Sequence, residues 1–134
     1  MSEARKLISV VTICRNESGG IRDCYAAVKR VFAERLPQYD YEHIFSDNAS
    51  TDGTAEILRE IAAADPRVKL LLNAADAGPF RSVFNGIRHT RGDGVLGCLP
   101  ADLQDPPELL PDFVKKWEEG FEVVAEVSDG RSAI

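Results

Sequence analysis

The sequence predicts an α/β fold: a mostly parallel β-sheet with helices on both faces. Short runs of apolar residues alternate with segments whose apolar residues recur every three or four positions, which is the pattern of strands alternating with helices. Most of the short runs are apolar throughout, as expected for strands covered by helices on both sides. Strands and helices that alternate in this way join by right-handed crossovers into a parallel sheet.

Five strands are predicted from apolar runs rich in β-branched residues and bounded by polar or turn-forming residues. They are Leu7–Cys14, Tyr41–Ser46, Val68–Leu72, Val95–Leu99 and Phe121–Val127. Four helices are predicted between them from apolar residues spaced three and four apart. They run from Ile21 to a point before Pro37, from Thr54 to Asp65, from about Phe80 to His89, and from the paired prolines Pro106 and Pro107 through Trp117.

Length and composition indicate one domain, residues 1–134. A chain of 134 residues with 44% hydrophobic composition can bury a single core. Its formal net charge of −6 disfavours nucleic acid as a partner, because binding a polyanion relies on Lys and Arg. The three cysteines (Cys14, Cys24 and Cys98) lack CxxC spacing, which predicts free buried thiols in a reducing, cytoplasmic compartment.

Neither a signal peptide nor a membrane span is predicted. Residues 7–14 lack a small-residue cleavage site, and no run approaches the roughly 20 apolar residues that span a bilayer. Residues 128–134 are small, polar and without pattern. Because the chain stops just after a predicted strand with no covering helix, we expect a fragment of a longer protein.

Polar residues follow four successive predicted strands. In an open α/β sheet, ligands bind outside the carboxyl ends of the strands. These residues are therefore expected to converge on one rim, in the segments RNESGG (15–20), DNASTDGT (47–54), NAADAG (73–78) and PADLQDPP (100–107).

Several of these residues also have a plain structural interpretation. Asp52 and Gly53 form a turn signal, and Thr54 or Ser50 suits the cap of the next helix. Asp47 and Asn48 come directly at the strand end, where capping is less needed, and a ligand contact is favoured. The segment 15–20 has neither the GxGxxG nor the GxxxxGK[ST] phosphate-binding pattern. The histidines, His43 and His89, lack ligand spacing and are expected to be packed or solvated.

The segment PADLQDPP predicts a metal or diphosphate site. An acidic helix start preceded by proline accounts for Asp105 and Glu108. It leaves Asp102 and Gln104 unexplained, because both precede the turn. Oxygen ligands two residues apart on an extended segment face the same side, so they can give a hard divalent cation a partial shell that a diphosphate completes.

Four motifs together resemble glycosyltransferase family 2, and within it the enzymes that transfer sugars to polyprenyl phosphate. They occur in order as SVVTICRNE, SDNASTDGT, NGIRHTRGD and ADLQDPPELLP, and the resemblance covers about residues 7–125. It implies a GT-A fold, whose first half is a Rossmann-like nucleotide-binding unit. The acceptor-binding half is absent from the resemblance.

The resemblance also implies roles for individual residues. Arg15, Asn16 and Glu17 match the loop that lines the nucleotide site, and Asp47, followed by Asn48, matches the acidic residue that contacts the base or ribose. Asp102 and Gln104 match residues that help hold Mg²⁺ or Mn²⁺ on the sugar-nucleotide diphosphate, and Asp102 is the predicted catalytic residue.

Three residues depart from the family pattern. Pro100 replaces the first Asp of the family's DADLQD segment, which removes one carboxylate from the metal site. Asn48 replaces an Asp but keeps an oxygen. Ser128 occupies the position of an arginine that is usual after the following strand, and Arg131 cannot be assumed to replace it.

The functional prediction is therefore part of the catalytic domain of an inverting glycosyltransferase. It is expected to bind a nucleotide-diphosphate sugar with a divalent metal, for transfer to a lipid phosphate or a cell-envelope glycan. We expect it to be inactive alone and to lie in the cytoplasm, at the inner membrane face only through parts outside this chain. The alternatives are a catalytically silent nucleotide-sugar-binding module and a receiver-like signalling domain. The latter is disfavoured because the loop after the first strand lacks an acidic pair.

Overall fold

A four-stranded parallel sheet forms the centre of the protein. The computed structural model describes residues 5–75, 78–100, 107–120, 127–128 and 131–132. Its strands lie in the order β3-β2-β1-β4. Their bounds are Leu7–Cys14 for β1, Asp40–Asp47 for β2, Val68–Leu72 for β3 and Gly94–Pro100 for β4. The predicted α/β fold with a parallel sheet is confirmed.

Strand β1 occupies the middle of the sheet because it pairs on both sides. It runs in register with β2 from Leu7 opposite Asp40 to Cys14 opposite Asp47. On its other side it pairs with β4, from Ile8 opposite Gly94 to Ile13 opposite Pro100, with one shift in register. Strands β1 and β3 have the predicted bounds, whereas β2 and β4 are each one residue longer at both ends.

Helices α1 (Ile21–Glu34) and α2 (Thr54–Ala64) cover one face of the sheet. The apolar residues of α1 that recur every three or four positions pack on alternate residues of β1 and β2. One core cluster joins Val28, Val31 and Phe32 to Ile8, Val10 and Tyr41, and a second joins Leu58 and Ile61 of α2 to Cys14 and Phe45. This face thus buries the side chains of every second strand residue, as the pleat requires.

Helix α3 (Pro79–Arg88) lies on the opposite face. A Cβ atom built on Gly86 would come within 2.4 Å of Cγ1 of Val11, so only glycine allows α3 to approach β1 this closely. The helix begins one residue before the predicted start, with Pro79 in its first turn. Helices on both faces, as predicted, leave β1 and β2 buried from both sides.

The last described helix, α4 (Leu110–Glu118), follows a 3₁₀ turn at Pro107–Leu109. Its buried residues Leu110 and Val114 join the core cluster that contains α1. Pro111 falls in its first turn, where a missing N–H costs nothing. The prediction that this helix begins at the paired prolines is correct to within one short turn at Pro107, while Pro106 lies outside the described residues.

The predicted fifth strand, Phe121–Val127, falls largely outside the described residues. Val127–Ser128 (β5) pairs with Arg131–Ser132 (β6) as a short antiparallel ladder, which is not part of the four-stranded sheet. The sequence predicted no element within residues 128–134, where most of this ladder lies; its first residue, Val127, is the last residue of the predicted fifth strand. The polar composition of residues 128–134 gives no sign of this ladder, which consists of two residue pairs.

The amino edge, defined here as the edge of the sheet where β1, β2 and β4 begin, is held by a buried carboxylate. Glu42 is 5% exposed, and its Oε1 lies 2.5 Å from Lys69 Nζ. Its Oε2 accepts hydrogen bonds from Ser9 Oγ at 2.5 Å and from the backbone N–H of Arg91 at 2.6 Å. The N–H of Gly92 donates to Ser9 Oγ, so this cluster fixes the loop that leads into β4.

Candidate functional site

The carboxyl edge, where the four parallel strands end, brings three strand exits side by side. Backbone pairing continues one residue past the strands: Asn48 N–H donates to the carbonyl of Cys14, and Asn73 N–H donates to the carbonyl of Asp47, each at 2.9 Å. The loops that follow β1, β2 and β3 therefore start as neighbours. Three of the four loops that were predicted to converge therefore do so, and the fourth, residues 100–107, lies largely outside the described residues.

Asn16 fastens the loop after β1 to the loop after β2. Its backbone N–H donates to Ser50 Oγ at 2.9 Å, and its side-chain Oδ1 accepts the N–H of Thr51 at 2.8 Å. The φ angle of Asn16 is 53°, a left-handed conformation that asparagine tolerates better than most residues. The first predicted site loop is thus bonded to the second from both its backbone and its side chain.

Asp52 and Thr54 continue the same junction toward α2. The N–H of Glu17 donates to Thr54 Oγ1 at 3.0 Å, and the N–H of Ser18 donates to Asp52 Oδ2 at 3.0 Å. Asp52 Oδ1 accepts from the N–H and the hydroxyl of Thr54. These bonds, first from Thr54 and then from Ser18, hold the pKa of Asp52 well below its usual range.

The predicted helix cap is wrong in detail. Gly53, with a φ of 97°, is the residue before α2, and Asp52 accepts the N–H of Thr54, the first helical residue. Ser50 bonds to Asp47 and Asn16 instead. The turn chemistry of Asp52 and Gly53 was the stronger signal, because an aspartate two residues before an N–H readily accepts from it.

Asp47 closes the turn that follows β2. It is 2% exposed; its Oδ2 accepts the N–H of Ser50 at 3.2 Å, and its Oδ1 accepts the Ser50 hydroxyl and, at 3.6 Å, the thiol of Cys14. Burial, and next the adjacent Asp47 charge, raise the pKa of the Cys14 thiol far above its usual range, so it stays a neutral donor. Both carboxylate oxygens are therefore engaged within the protein.

Arg15 and Asn48 lie at the same junction. The Arg15 guanidinium donates to the carbonyl of Asn48 at 3.3 Å, and Arg15 is exposed while Asn48 is nearly buried. Ala49, which follows, has a φ of 59°, a strained conformation for a residue with a Cβ. Strained backbone of this kind concentrates at functional sites, and here it occurs on both loops, at Asn16 and Ala49.

The structure thus brings together five of the seven predicted site residues: Arg15, Asn16, Glu17, Asp47 and Asn48. The other two, Asp102 and Gln104, lie outside the described residues. They follow the end of β4 at Pro100 by two and four positions in the sequence. Within the described ranges, no group of three or more His, Cys, Asp or Glu residues is arranged to hold a metal ion.

A polar network behind the Asp47 turn was missed by the sequence reasoning. Asn73 donates from Nδ2 to Ser46 Oγ at 3.2 Å and to Ser82 Oγ at 3.3 Å, and it accepts from Asn85 Nδ2 at 2.8 Å. The two serine hydroxyls, both buried, lie 2.8 Å apart. The available signal was Ser82, four residues before Gly86 and hence on the same buried face of α3.

One histidine and two of the cysteines are packed, and the other histidine is solvated, in keeping with the prediction. His43 is fully buried; its Nε2 lies 2.7 Å from Thr12 Oγ1, and burial lowers the pKa of the ring to about 3. His89 is exposed at the end of α3. Cys14 and Cys24 are buried and form no disulfide. The side chain of Cys98 lies outside the described part.

Comparison with known proteins adds a family and a fold. The family model described as Glycosyl transferase family 2 matches residues 9–132. The glycosyltransferase YkcC of Bacillus subtilis is 36% identical over 123 residues, and the bactoprenol glucosyl transferase of Shigella phage SfX is 34% identical over 125 residues. These matches cover 92% and 93% of this chain but only 37% and 40% of the relatives, so the chain spans less than half of their length.

A solved structure shares the fold. The mannosyltransferase PcManGT from Pyrobaculum calidifontis, in complex with GDP-Man and Mn2+, superposes with a TM-score of 0.72 at 24% identity. The superposition covers 91% of this chain and 34% of that one. Across the described residues, no helix combines the length and the apolar character that crossing a membrane requires.

Proposed function

The chain belongs to glycosyltransferase family 2, and from that premise we propose that it is the nucleotide-sugar-binding part of an inverting glycosyltransferase whose acceptor is a polyprenyl phosphate. The observation that carries the proposal is the junction of the loops after β1 and β2 at the carboxyl edge. There Arg15, Asn16, Glu17, Asp47 and Asn48 converge. Nucleotides bind at this edge in open α/β sheets generally.

The residues at the junction have complementary tasks in this proposal. Arg15 provides positive charge for a diphosphate, in a chain whose formal net charge is −6. Asn48 and Glu17 offer polar groups for the base and ribose. Asp47 contributes through the turn that its carboxylate closes, because a residue that is 2% exposed offers a ligand little surface to contact.

A divalent cation, Mg²⁺ or Mn²⁺, fits the chemistry of the residues that follow β4. Asp102 and Gln104 carry oxygen donors, which hard cations prefer, and would hold the ion together with the substrate's diphosphate. When bound, such an ion offsets the negative charge that develops on the leaving diphosphate. The Mn2+ complex of the mannosyltransferase with the same fold supports this assignment, while Pro100 supplies no carboxylate.

In the proposed reaction the protein contributes little general acid–base catalysis. The bond from the anomeric carbon to the diphosphate oxygen breaks, the nucleoside diphosphate leaves with the electron pair, and an acceptor oxygen bonds to the carbon from the opposite face. A lipid phosphate is already an oxyanion, so no proton has to be removed. The protein's share is then chiefly to orient the sugar nucleotide against the acceptor.

The bactoprenol glucosyl transferase among the relatives supports a lipid-phosphate acceptor. We propose accordingly that the whole protein works at the cytoplasmic face of a membrane. A second candidate, a nucleotide-sugar-binding module without catalysis, is favoured by one observation: Pro100 ends β4 where the family has an aspartate. The receiver-like alternative is set aside by the family.

Calorimetry with a panel of UDP-, GDP- and dTDP-sugars, with and without Mn²⁺, tests the proposal. One sugar nucleotide should bind, and Mn²⁺ should strengthen its binding. Asp102→Asn should reduce that metal-dependent gain, because an amide is a poorer ligand for a hard cation. Pro100→Asp should increase it. If no sugar nucleotide binds, the proposed function is wrong. If Mn²⁺ does not change the affinity of the parent or of either variant, only the proposed metal site is wrong.

The two candidate functions differ in transfer. If the chain is one part of an enzyme, fusing it to the remaining length of a relative such as the Shigella phage transferase should give transfer of sugar to polyprenyl phosphate. The stereochemistry at the anomeric carbon would then be inverted in the product. A fusion that binds the sugar nucleotide but transfers nothing would favour the silent module.

A further inference from the structure

We propose that Ser46, Asn73 and Ser82 are positioning residues for the nucleotide site. They hold the end of β2 and the first turns of α3 in one arrangement, and thereby fix the turn Asp47–Ser50. None of the three is expected to touch the nucleotide. The inference rests on the proposed function, since it concerns the same binding site.

Asn73 is the centre of this network. Its backbone N–H donates to the carbonyl of Asp47 at 2.9 Å, while its side chain donates to the hydroxyls of Ser46 and Ser82. The Asn85 side chain in turn donates from Nδ2 to the side-chain oxygen Oδ1 of Asn73 at 2.8 Å. Asn73, the residue that follows β3, thus contacts Ser46 before the turn, Asp47 at the start of the turn, and two residues of α3.

Helix α3 supplies the fixed end of the network. Gly86 lies against Val11 so closely that a Cβ would clash at 2.4 Å, which seats the helix firmly on the sheet. Ser82, one turn earlier, is 1% exposed and shares hydrogen bonds with Ser46 through both the hydroxyl and the backbone carbonyl of that residue. The end of β2 is therefore hydrogen-bonded to a helix whose position on the sheet is fixed by close packing.

The turn needs such support because its backbone is strained. Ala49, within the turn, has a left-handed φ angle of 59°, and such a conformation persists only where the surroundings over-determine it. Removing one partner from a buried polar network leaves the others unsatisfied, so the network relaxes and the segment it holds gains freedom. Here that segment begins at Ser46, directly before Asp47.

The chain offers a matched control in Ser9. Like Ser46, Ser9 is a fully buried serine on the α3 side of the sheet, with its hydroxyl in a side-chain network. It lies at the amino edge, far along the strand from the turn. Ser9→Ala therefore causes the same chemical loss as Ser46→Ala without touching the carboxyl edge.

The test compares Ser46→Ala, Asn73→Ala and Ser82→Ala with Ser9→Ala by amide hydrogen exchange. The reporter is the Ser50 N–H, which donates to Asp47 Oδ2. We expect the three network variants to lose about tenfold in protection at Ser50, and Ser9→Ala to match the parent there. Equal protection at Ser50 in Ser46→Ala and the parent overturns the inference, and so does an equal loss in Ser9→Ala.

Nucleotide affinity is the second readout. The network variants should bind the sugar nucleotide at least about tenfold more weakly, since small displacements of a positioned group cost that much or more, and Ser9→Ala should bind within about twofold of the parent. If the parent binds no nucleotide, the proposed function fails, yet hydrogen exchange still decides whether the network holds the turn. If Asn73→Ala does not fold, the two serine variants decide alone.

Discussion

Two buried carboxylates lie toward opposite ends of β2, and they accept hydrogen bonds from different kinds of donor. At the amino edge, Glu42 forms an ion pair with Lys69 and accepts bonds from Ser9 and the Arg91 N–H. At the carboxyl edge, Asp47 accepts only neutral donors, from Ser50 and Cys14, among the bonds that the structure describes. The same strand thus ends in one ionic cluster and one turn.

The difference separates a structural role for Glu42 from the functional role that we propose for Asp47. Burial raises the pKa of Glu42, but the bonds from Lys69 and Ser9 outweigh that effect, and the pKa is lowered overall. Glu42 joins β1, β3 and the loop before β4, so its task is to hold the sheet. Among the described residues, the Asp47 carboxylate joins its own turn to the end of β1, so in the proposed function it shapes one loop that the nucleotide contacts.

The largest expected effect is a loss of stability in acid, and it concerns the strand segment next to Glu42. His43, next to Glu42, has a pKa of about 3 when folded and 6.5 as its reference value. The unfolded chain therefore binds a proton that the folded chain rejects, and the free energy of unfolding falls as the pH drops from 6.5 toward 3. We expect this loss to reach on the order of 4 kcal/mol, measured by chemical denaturation at each pH.

A His43→Phe variant is the control for this pH dependence. Whatever its absolute stability, the free energy of unfolding of this variant should vary less than that of the parent between pH 6.5 and 4.5. Glu42, whose folded pKa is lowered, adds its own loss only below about pH 4.5 in both proteins. Parallel pH profiles for parent and variant would rule out His43 as the cause.

Removing the cation at the amino edge should be the next largest change. Lys69→Met leaves the Glu42 charge buried without its counter-ion, and we expect a loss of about 2 to 3 kcal/mol in the free energy of unfolding, because Lys69 itself is partly exposed. Nucleotide affinity should not change. The matched control is Arg22→Met, which breaks an exposed ion pair with Glu60 and should cost well under 1 kcal/mol.

At the carboxyl edge, Asp47→Ala should act mainly on binding. The turn loses the acceptor for the N–H and hydroxyl of Ser50, and we expect the affinity for the sugar nucleotide to fall by about 2 kcal/mol, measured by calorimetry. Some stability is lost as well, because the residue is buried. Affinity equal to that of the parent in the folded variant would remove the Asp47 turn from the proposed site.

The smallest expected effect has the opposite sign. Ala49→Gly relieves a left-handed conformation and should stabilise the protein by about 0.5 to 1 kcal/mol in thermal or chemical unfolding. Ala26→Gly, on the exposed side of α1, should instead destabilise it by about 1 kcal/mol. Two alanine-to-glycine changes with the same sign would show that the carboxyl edge stores no strain at Ala49.

Most of the fold could be predicted from the sequence, because most of the strands are largely apolar runs. Leu7–Cys14 and Val68–Leu72 have the bounds that the pattern indicates. Strand β2 was predicted too short since its end residues, Asp40 and Asp47, are acidic and rarely favour strands. The short pairing of β5 with β6 was not predicted, because only one of its four residues, Val127, is apolar.

The site was predictable only in outline. Parallel topology requires the loops after β1 and β2 to meet, and this requirement alone predicts that Arg15 and Asp47 lie near each other. The bonds that give each residue its task join positions far apart in sequence, such as Ser46 and Asn73, 27 residues apart, and Ser46 and Ser82, 36 apart. No local pattern encodes such a contact, because it exists only once the sheet and α3 have packed.

The central place of β1 has a consequence for the order in which the protein folds. During synthesis β1 can pair with β2 early, because the two strands follow each other closely in the sequence, but its other neighbour comes much later: the Leu7 N–H donates to Asp93 across 86 residues. Closing so long a loop is slow compared with the local steps. We therefore expect β1, β2 and β3 to assemble during synthesis with one edge of β1 unprotected, an interval in which chaperones would shield that edge from other nascent chains.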